Sequence, residues 1–261
     1  ARDWRAGELK LLALALVVAV TSVSSVTFFG DRVHQALTRD AHQLLGADLL
    51  INSDHPLDPD FDREARTRGL ATASSTRLIS MSRQAGVAHI AGVKAVSEGY
   101  PLRGKLRIAP ALNTPDQEAS GVPPPGHVWV DERLASAIGA EVGASLELGN
   151  ARLNVAAILT LEPDRGVTFF NIAPRLLMNA ADLPQTGLIQ VGSRVTYALL
   201  VAGDRAVIEA YEQWAKTRLG RGEGVEGLDN ARPEIRAGLD RAQQFLGLTS
   251  LLAVVLAAVA I

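Results

Sequence analysis

Cysteine is absent from all 261 residues, which removes disulfides, thiolate chemistry and Cys-based zinc sites together. The absence leaves the redox compartment open. Charge of one sign is lacking too: 26 Lys and Arg stand against 28 Asp and Glu, a formal net charge of −2, so no global basic field points to nucleic acid. Catalytic motifs are missing as well. No GxSxG elbow occurs. The five histidines, His34, His42, His55, His89 and His127, form no HxxxH pair, and none lies beside a carboxylate at metal-ligand spacing. His34 and His42 share one helical face, where solvated side chains are the ordinary reading.

Two glycine-rich stretches imitate nucleotide loops and fail on chemistry. Gly99 to Lys105 resembles a phosphate loop up to its lysine. Leu106 then stands where magnesium needs a Ser or Thr hydroxyl, and Pro101 removes a backbone N–H. Gly222-Glu-Gly-Val-Glu-Gly227 formally satisfies GxGxxG, but it follows a helical pattern rather than a strand, and Glu223 and Glu226 would repel pyrophosphate. It reads as a loop.

What the chain has in excess is apolar sequence at its two ends. Leu11 to Phe29 runs without charge or proline, about 28 Å of helix against the ~30 Å hydrocarbon core of a bilayer. Thr21, Ser22, Ser24, Ser25 and Thr27 suit close packing between membrane helices. A cleaved signal peptide with Leu9–Val20 as its apolar stretch is the rival reading. The run continues through Phe28 and Phe29 into a helical pattern without a break, which favours an anchor. Phe245 to Ile261 is apolar to the last residue, just short of spanning length; as a buried core helix it would need protein on all sides. Arg2, Arg5 and Lys10 precede the first run and Arg32 and Arg39 follow it, too slight a bias to orient the chain. Size and composition place the middle region outside the cytoplasm. Ala1 at the start and an apolar run still going at Ile261 suggest a longer polypeptide.

Each apolar run is joined to a helical stripe. Val33, Leu37, Ala41, Leu44 and Leu45 recur at four- and three-residue steps, ending near Gly46, and Ile235, Leu239, Ala242 and Leu246 form a matching stripe opened by Pro233. The two stripes either pack together as paired stalks or pack each against its own domain. Phe28, Phe29 and Phe245 fall where the spans leave the membrane; they serve as interfacial anchors or line a lateral entrance for a lipid-like substrate.

The region between reads as mixed α and β. Ala47–Ile51 is expected as a strand, Asp60–Arg68 as a short helix, and Ala73–Gln84 and Val87–Val96 as strands turning at Gly86. A loop-rich stretch, Asn113 to Gly126, is the best internal boundary. A strand at Val128–Val130 then leads to a helix over Glu132–Ile138, capped by Asp131 and ended by Gly139. Leu146–Leu148 and Arg152–Leu161 form a hairpin around Gly149-Asn150. The chain loops through Phe169 and Phe170, and Ser193–Ala202 is a strand. Asp204 caps a helix whose apolar face is Val207, Ile208, Tyr211, Trp214 and Ala215, and Gly220–Gly227 is a loop to the second stalk.

Gly126-His-Val-Trp-Val-Asp-Glu-Arg-Leu-Ala-Ser-Ala-Ile-Gly139 followed by Val142-Gly-Ala-Ser-Leu-Glu-Leu-Gly149 resembles the periplasmic "strand, Asp, helix, then VGDxLxLG" signature of MacB/FtsX-type ABC transporter permeases, with Ala144 where Asp is usual. The opening Arg2-Asp-Trp-Arg-Ala-Gly-Glu-Leu9 is similar to the YbbP-like branch, as are Ala181 to Gln190, Ala231 to Arg236 and Phe245-Leu-Gly247. The resemblance implies an α+β periplasmic domain, a MacB-like porter part with an inserted smaller lobe, flanked by two transmembrane helices with helical stalks. It divides the chain into a cytoplasmic lead-in and first span (1–29), a stalk (30–46), a first porter-like part (47–101), the inserted lobe (102–190), a second porter-like part (191–232), and a stalk with a truncated second span (233–261).

The same resemblance implies a non-catalytic subunit of the bacterial inner membrane, with no cofactor of its own. ATP would be bound by a separate cytoplasmic ABC ATPase subunit, and the remaining spans would lie beyond Ile261. ATP-driven motion would pass along the stalks to extract or export a hydrophobic, lipid-like molecule. Membrane lipids, a second permease half or copy and a periplasmic hydrolase of lysophospholipase or thioesterase type are the implied partners. Two rivals come from other classes: a transmembrane sensor with a periplasmic ligand-binding domain, and a membrane-tethered hydrolase.

Overall fold

The computed structural model describes residues 45–165 and 173–227, with isolated helical positions at 17, 20, 21, 24, 28 and 32. The chain divides into two units, 1–40 with 229–261, and 41–228. In the first, Val17, Val20 and Phe28 are helical and expose more than half of their surface. Thr21 Oγ1 there donates to the Val17 carbonyl at 2.7 Å, the back-bonding by which a helix absorbs a hydroxyl. Among the described residues no helix is long and apolar enough to cross a membrane. The runs 11–29 and 245–261 lie outside the described residues apart from those isolated positions.

The second unit is built on one 11-stranded sheet. Its elements are β1 (Leu49–Ser53), α1 (Pro59–Thr67), β2 (Ala71–Gln84), β3 (Val87–Val96), β4 (Arg107–Ala109), β5 (Gln117–Glu118), β6 (His127–Asp131), α2 (Glu132–Ile138), β7 (Ser145–Leu148), β8 (Ala151–Leu161), β9 (Arg175–Asn179), α3 (Leu183–Thr186), β10 (Thr196–Ala202), α4 (Arg205–Lys216) and β11 (Glu223–Gly227). The sheet order is β11-β1-β10-β2-β3-β9-β6-β8-β4-β5, and β7 bridges β2 and β8. That bridge closes a ring: β2, β3, β9, β6, β8 and β7 pair in turn and return to β2. Closure removes the free edges that those strands would otherwise present.

Apolar alternation decides which side faces in. Val93, Ala95, Val128, Val130, Leu146, Leu148, Leu153, Val155, Leu176 and Met178 point to one cluster inside the ring, joined by Leu134, Ala135 and Ile138 of α2. α2 begins where Asp131 Oδ1 accepts the Leu134 N–H at 2.8 Å and stops at Gly139, φ +66°, the start and stop signals expected of those residues. The turn after β7 packs tightly. Gly149 has φ +58°, and a Cβ there would lie 2.1 Å from the Thr186 carbonyl oxygen, so only glycine fits.

β2 is the beam shared by ring and outer layer, because its first half pairs with β10 while its end reaches β7. On the outer layer, Leu49, Ile51, Leu199 and Val201 bury against Phe61 and Ala65 of α1 and Ile208, Tyr211 and Ala215 of α4. A third cluster fills the remaining face, with Ala47, Leu50, Val96, Tyr100, Leu106, Trp129, Leu177 and Leu200. The last six residues of β3, Ala91 to Val96, are therefore buried on both faces.

Most elements fall where periodicity places them, including the β7–β8 hairpin, α2 and α4. Gly220–Gly227 is the correction. It is not a loop throughout: Glu223–Gly227 is a strand paired antiparallel to β1. An edge strand needs only one partner, and its glycines and glutamates blunt the open side. β9 had no clear signal, and β1 lies two residues later than expected.

Candidate functional site

Five polar side chains meet inside the third apolar cluster. Lys94 comes from β3, Arg175 from the start of β9, Glu162 and Asp164 from the chain just after β8, and Tyr100 from the turn after β3. Lys94 Nζ lies 3.0 Å from Glu162 Oε1 and 2.5 Å from Asp164 Oδ2. It also donates to the Tyr100 hydroxyl at 2.7 Å. Arg175 Nε takes the other Glu162 oxygen at 2.8 Å, and Tyr100 donates its hydroxyl proton to Asp164. The Lys94 and Glu162 side chains are 1% and 0% exposed. A charge so placed survives only if paired.

The electrostatics follow from that enclosure. Burial pushes the Glu162 carboxyl up, but the charges of Lys94 and Arg175 outweigh it and hold the group down at about 2. Tyr100 moves the other way: burial, then the nearby Asp164 and Glu162 carboxylates, raise its pKa well above the ordinary phenol value. The Tyr100 phenol stays a donor and the Glu162 carboxylate stays an acceptor at neutral pH. Two cations face two anions with a neutral donor between them, so the arrangement grips rather than reacts.

The cluster touches the point where the chain enters the domain. Leu45 is helical and Gly46 follows it with φ +66°. A Cβ on Gly46 would sit 3.5 Å from Asp164 Cβ. The Gly46 carbonyl accepts the Arg103 N–H at 2.9 Å. Arg103 also clamps Asp48 with two bonds, Nε to Oδ1 at 2.9 Å and Nη2 to Oδ2 at 2.6 Å. Asp48 Oδ2 further accepts the Gly203 N–H at 3.0 Å. The exit lies beside this entry, since Leu49 pairs with Gly227 in the β1–β11 ladder.

Of the site residues read from sequence, Phe28 is described: its side chain is 61% exposed, and the Arg32 guanidinium carbon stands 4.8 Å from the centre of its ring. Phe29, Phe245, Val33, Leu37, Ala41, Leu44, Ile235, Leu239, Ala242 and Leu246 lie outside the described residues. Lys105 of the phosphate-loop look-alike is surface-exposed and pairs with Glu118 at 2.5 Å. The structure brings His55 to two carboxylates that spacing did not suggest. Its Nδ1 lies 2.8 Å from Asp54 and its Nε2 lies 3.4 Å from Glu223. The hydrogen bond to Asp54 raises the His55 pKa. Among the described residues, no group of three or more His, Asp and Glu side chains is placed to hold a metal ion.

The ionic cluster was missed in the sequence. Its one local signal is Lys94 inside the apolar run Ala91–Val96, where a charge buried on both sides must find partners.

No family model matches the chain. Over 260 residues, 100% of its length, the chain is 31% identical to the uncharacterized ABC transporter permease YbbP of Escherichia coli strain K12, and it spans 31% of that protein. Among solved structures it is similar to the periplasmic region of MacB from Actinobacillus actinomycetemcomitans, at 12% identity and TM-score 0.47, covering 75% of this chain and 95% of that one. It is also similar to the extracellular domain of the noncanonic ABC-type transporter YknZ from Gram-positive bacteria, at 9% identity and TM-score 0.45, covering 69% and 100%.

Proposed function

The chain is a relative of the ABC transporter permease YbbP along its whole length, and on that premise we propose that it works as part of a MacB/FtsX-type permease in the bacterial inner membrane. In this reading residues 41–228 stand in the periplasm, and the apolar runs 11–29 and 245–261 are its membrane anchors. A separate cytoplasmic ABC ATPase subunit binds and hydrolyses ATP, and this chain itself carries no cofactor and no catalytic step. Its motion extracts or exports a hydrophobic, lipid-like molecule that enters past Phe28, Phe29 and Phe245. Membrane lipids, a second permease half or copy and a periplasmic hydrolase of lysophospholipase or thioesterase type are the remaining partners.

One observation supports the mechanical part. Leu49 and Gly227 are paired residues, so the chain enters and leaves the domain at one point, and two stalks set side by side can act on it together. A sensor would use the same adjacency. The similarity to a permease over the full length is what favours transport. The test is the full-length permease with its ATPase in vesicles carrying a fluorescent lysophospholipid. ATP-dependent extraction, weakened several-fold by Phe28→Ala, is expected. Robust ATP hydrolysis without any extraction of lysophospholipid, phospholipid or fatty acid would overturn the reading.

A further inference from the structure

We propose that the Lys94 cluster and the Arg103–Asp48 clamp form one joint, which fixes the chain entering at Leu45 to the ring wall and delivers displacement of that entry to β3 and β9. The proposal rests on the permease reading for the source of the displacement, but the joint itself is a matter of contacts.

The contacts are continuous. Gly46 is held by the Arg103 N–H and lies against Asp164; Asp164 is bound by Lys94 and Tyr100; Lys94 binds Glu162, and Glu162 binds Arg175. Lys94 and Arg175 belong to β3 and β9, neighbouring parallel strands of the ring in which Gly92 aligns with Arg175. The path from the entry to the second of these strands thus runs through one van der Waals contact, Gly46 against Asp164, and then through charge-assisted hydrogen bonds of Lys94, Glu162 and Arg175. The entry is tied to the outer layer as well, through Asp48 and Gly203, so the two layers are held two residues apart, at Gly46 and Asp48.

The chemistry of the filling supports the role. The surroundings are apolar, with Ala47, Leu50, Leu106, Trp129, Leu177 and Leu200 in the same cluster. Well-packed apolar side chains would fill that space with no loss of stability, as replacements of buried ion triads elsewhere show. What ions add is discreteness. Apolar surfaces slide past one another at little cost, whereas a charge-assisted hydrogen bond is lost within about 1 Å of displacement. A network of several such bonds therefore moves as a unit or breaks.

The test uses the full-length permease with its ATPase in nanodiscs, and the charge-balanced double variant Lys94→Met with Asp164→Asn. The variant leaves the Arg175–Glu162 pair intact and keeps an acceptor for Tyr100. Hydrogen exchange in nucleotide-free protein is the first readout. The Arg103 amide should exchange at least about tenfold faster in the variant, while Ile208 of α4, bonded to Asp204, is unchanged. Unchanged exchange at Arg103 overturns the joint whatever the fate of the permease reading. The second readout is the distance between spin labels at Asn154→Cys on the ring and Gln213→Cys on α4. An ATP-dependent change in the wild type that shrinks by at least about half in the folded variant supports the joint, and a change of full size overturns it. No change in the wild type overturns the permease reading and the transmission with it. Should the double variant fail to fold, Arg103→Gln, at a side chain 40% exposed, loosens the same clamp and is read by the same two measurements.

Discussion

Lys94→Met removes one cation from a site that holds two carboxylates out of water. Glu162 is 0% exposed and lies between Lys94 and Arg175, and its carboxyl is held at about 2 against an ordinary 4.5. Breaking buried pairs by removing one partner costs about 3–5 kcal/mol in general, and because Arg175 still pairs with Glu162 in the variant, about 3 kcal/mol applies here. For a domain of this size about 2–4 °C of melting temperature follows each kcal/mol, which gives a loss of about 6–12 °C. The assay is thermal unfolding of the purified chain at pH 7 followed by tryptophan fluorescence, since Trp129 is buried in the same cluster. A depressed carboxylate contributes its stability above the unfolded pKa and loses it as pH falls, so the gap between wild type and variant should close between about pH 4.5 and about pH 2. Lys94→Met melting within 2 °C of wild type at pH 7 would refute the reasoning.

Two further outcomes test other parts of the structure. Gly149→Ala places a methyl group against the Thr186 carbonyl at a backbone φ of +58° and should destabilise by about 2 kcal/mol or more, read as a lower urea midpoint; Gly86→Ala, where nothing lies within 4 Å, should cost about 1 kcal/mol from its φ alone. Asp54→Asn removes the largest cause of the raised His55 pKa. The imidazole should then titrate at lower pH by NMR, and the stabilising contribution of the His55 cation should be lost at a lower pH on alkaline titration.

Local chemistry made much of the fold legible. Asp131 and Gly139 bracket α2 because a carboxylate and a glycine satisfy the groups a helix end leaves open, and Gly149-Asn150 turns β7 into β8. Long-range pairing was not legible. β9 is five residues long, fully buried and opened by an arginine, so neither alternation nor length marks it. β11 hides behind glycines that would weaken an inner strand but are harmless at an edge. The ionic cluster is harder still: Lys94 finds Glu162 and Asp164 at separations of 68 and 70 residues, and only the closed ring of strands brings them together. The signature from Gly126 to Gly149 carries the resemblance to the permease family; it lies on β6, α2 and β7 and meets the apolar surround of the cluster at Trp129.

The pairing of Leu49 with Gly227 has a mechanical corollary. In an antiparallel ladder whose two loose ends leave from the same rung, pulling them apart loads hydrogen bonds singly and in order, from Gly227 towards Glu223, as a zip opens. Tension between the ends would act on the β1–β11 ladder and, through the entry at Leu45, on the ionic cluster. A push or twist that carries both ends together loads no rung of that ladder, whereas drawing the ends apart sheds the edge strand.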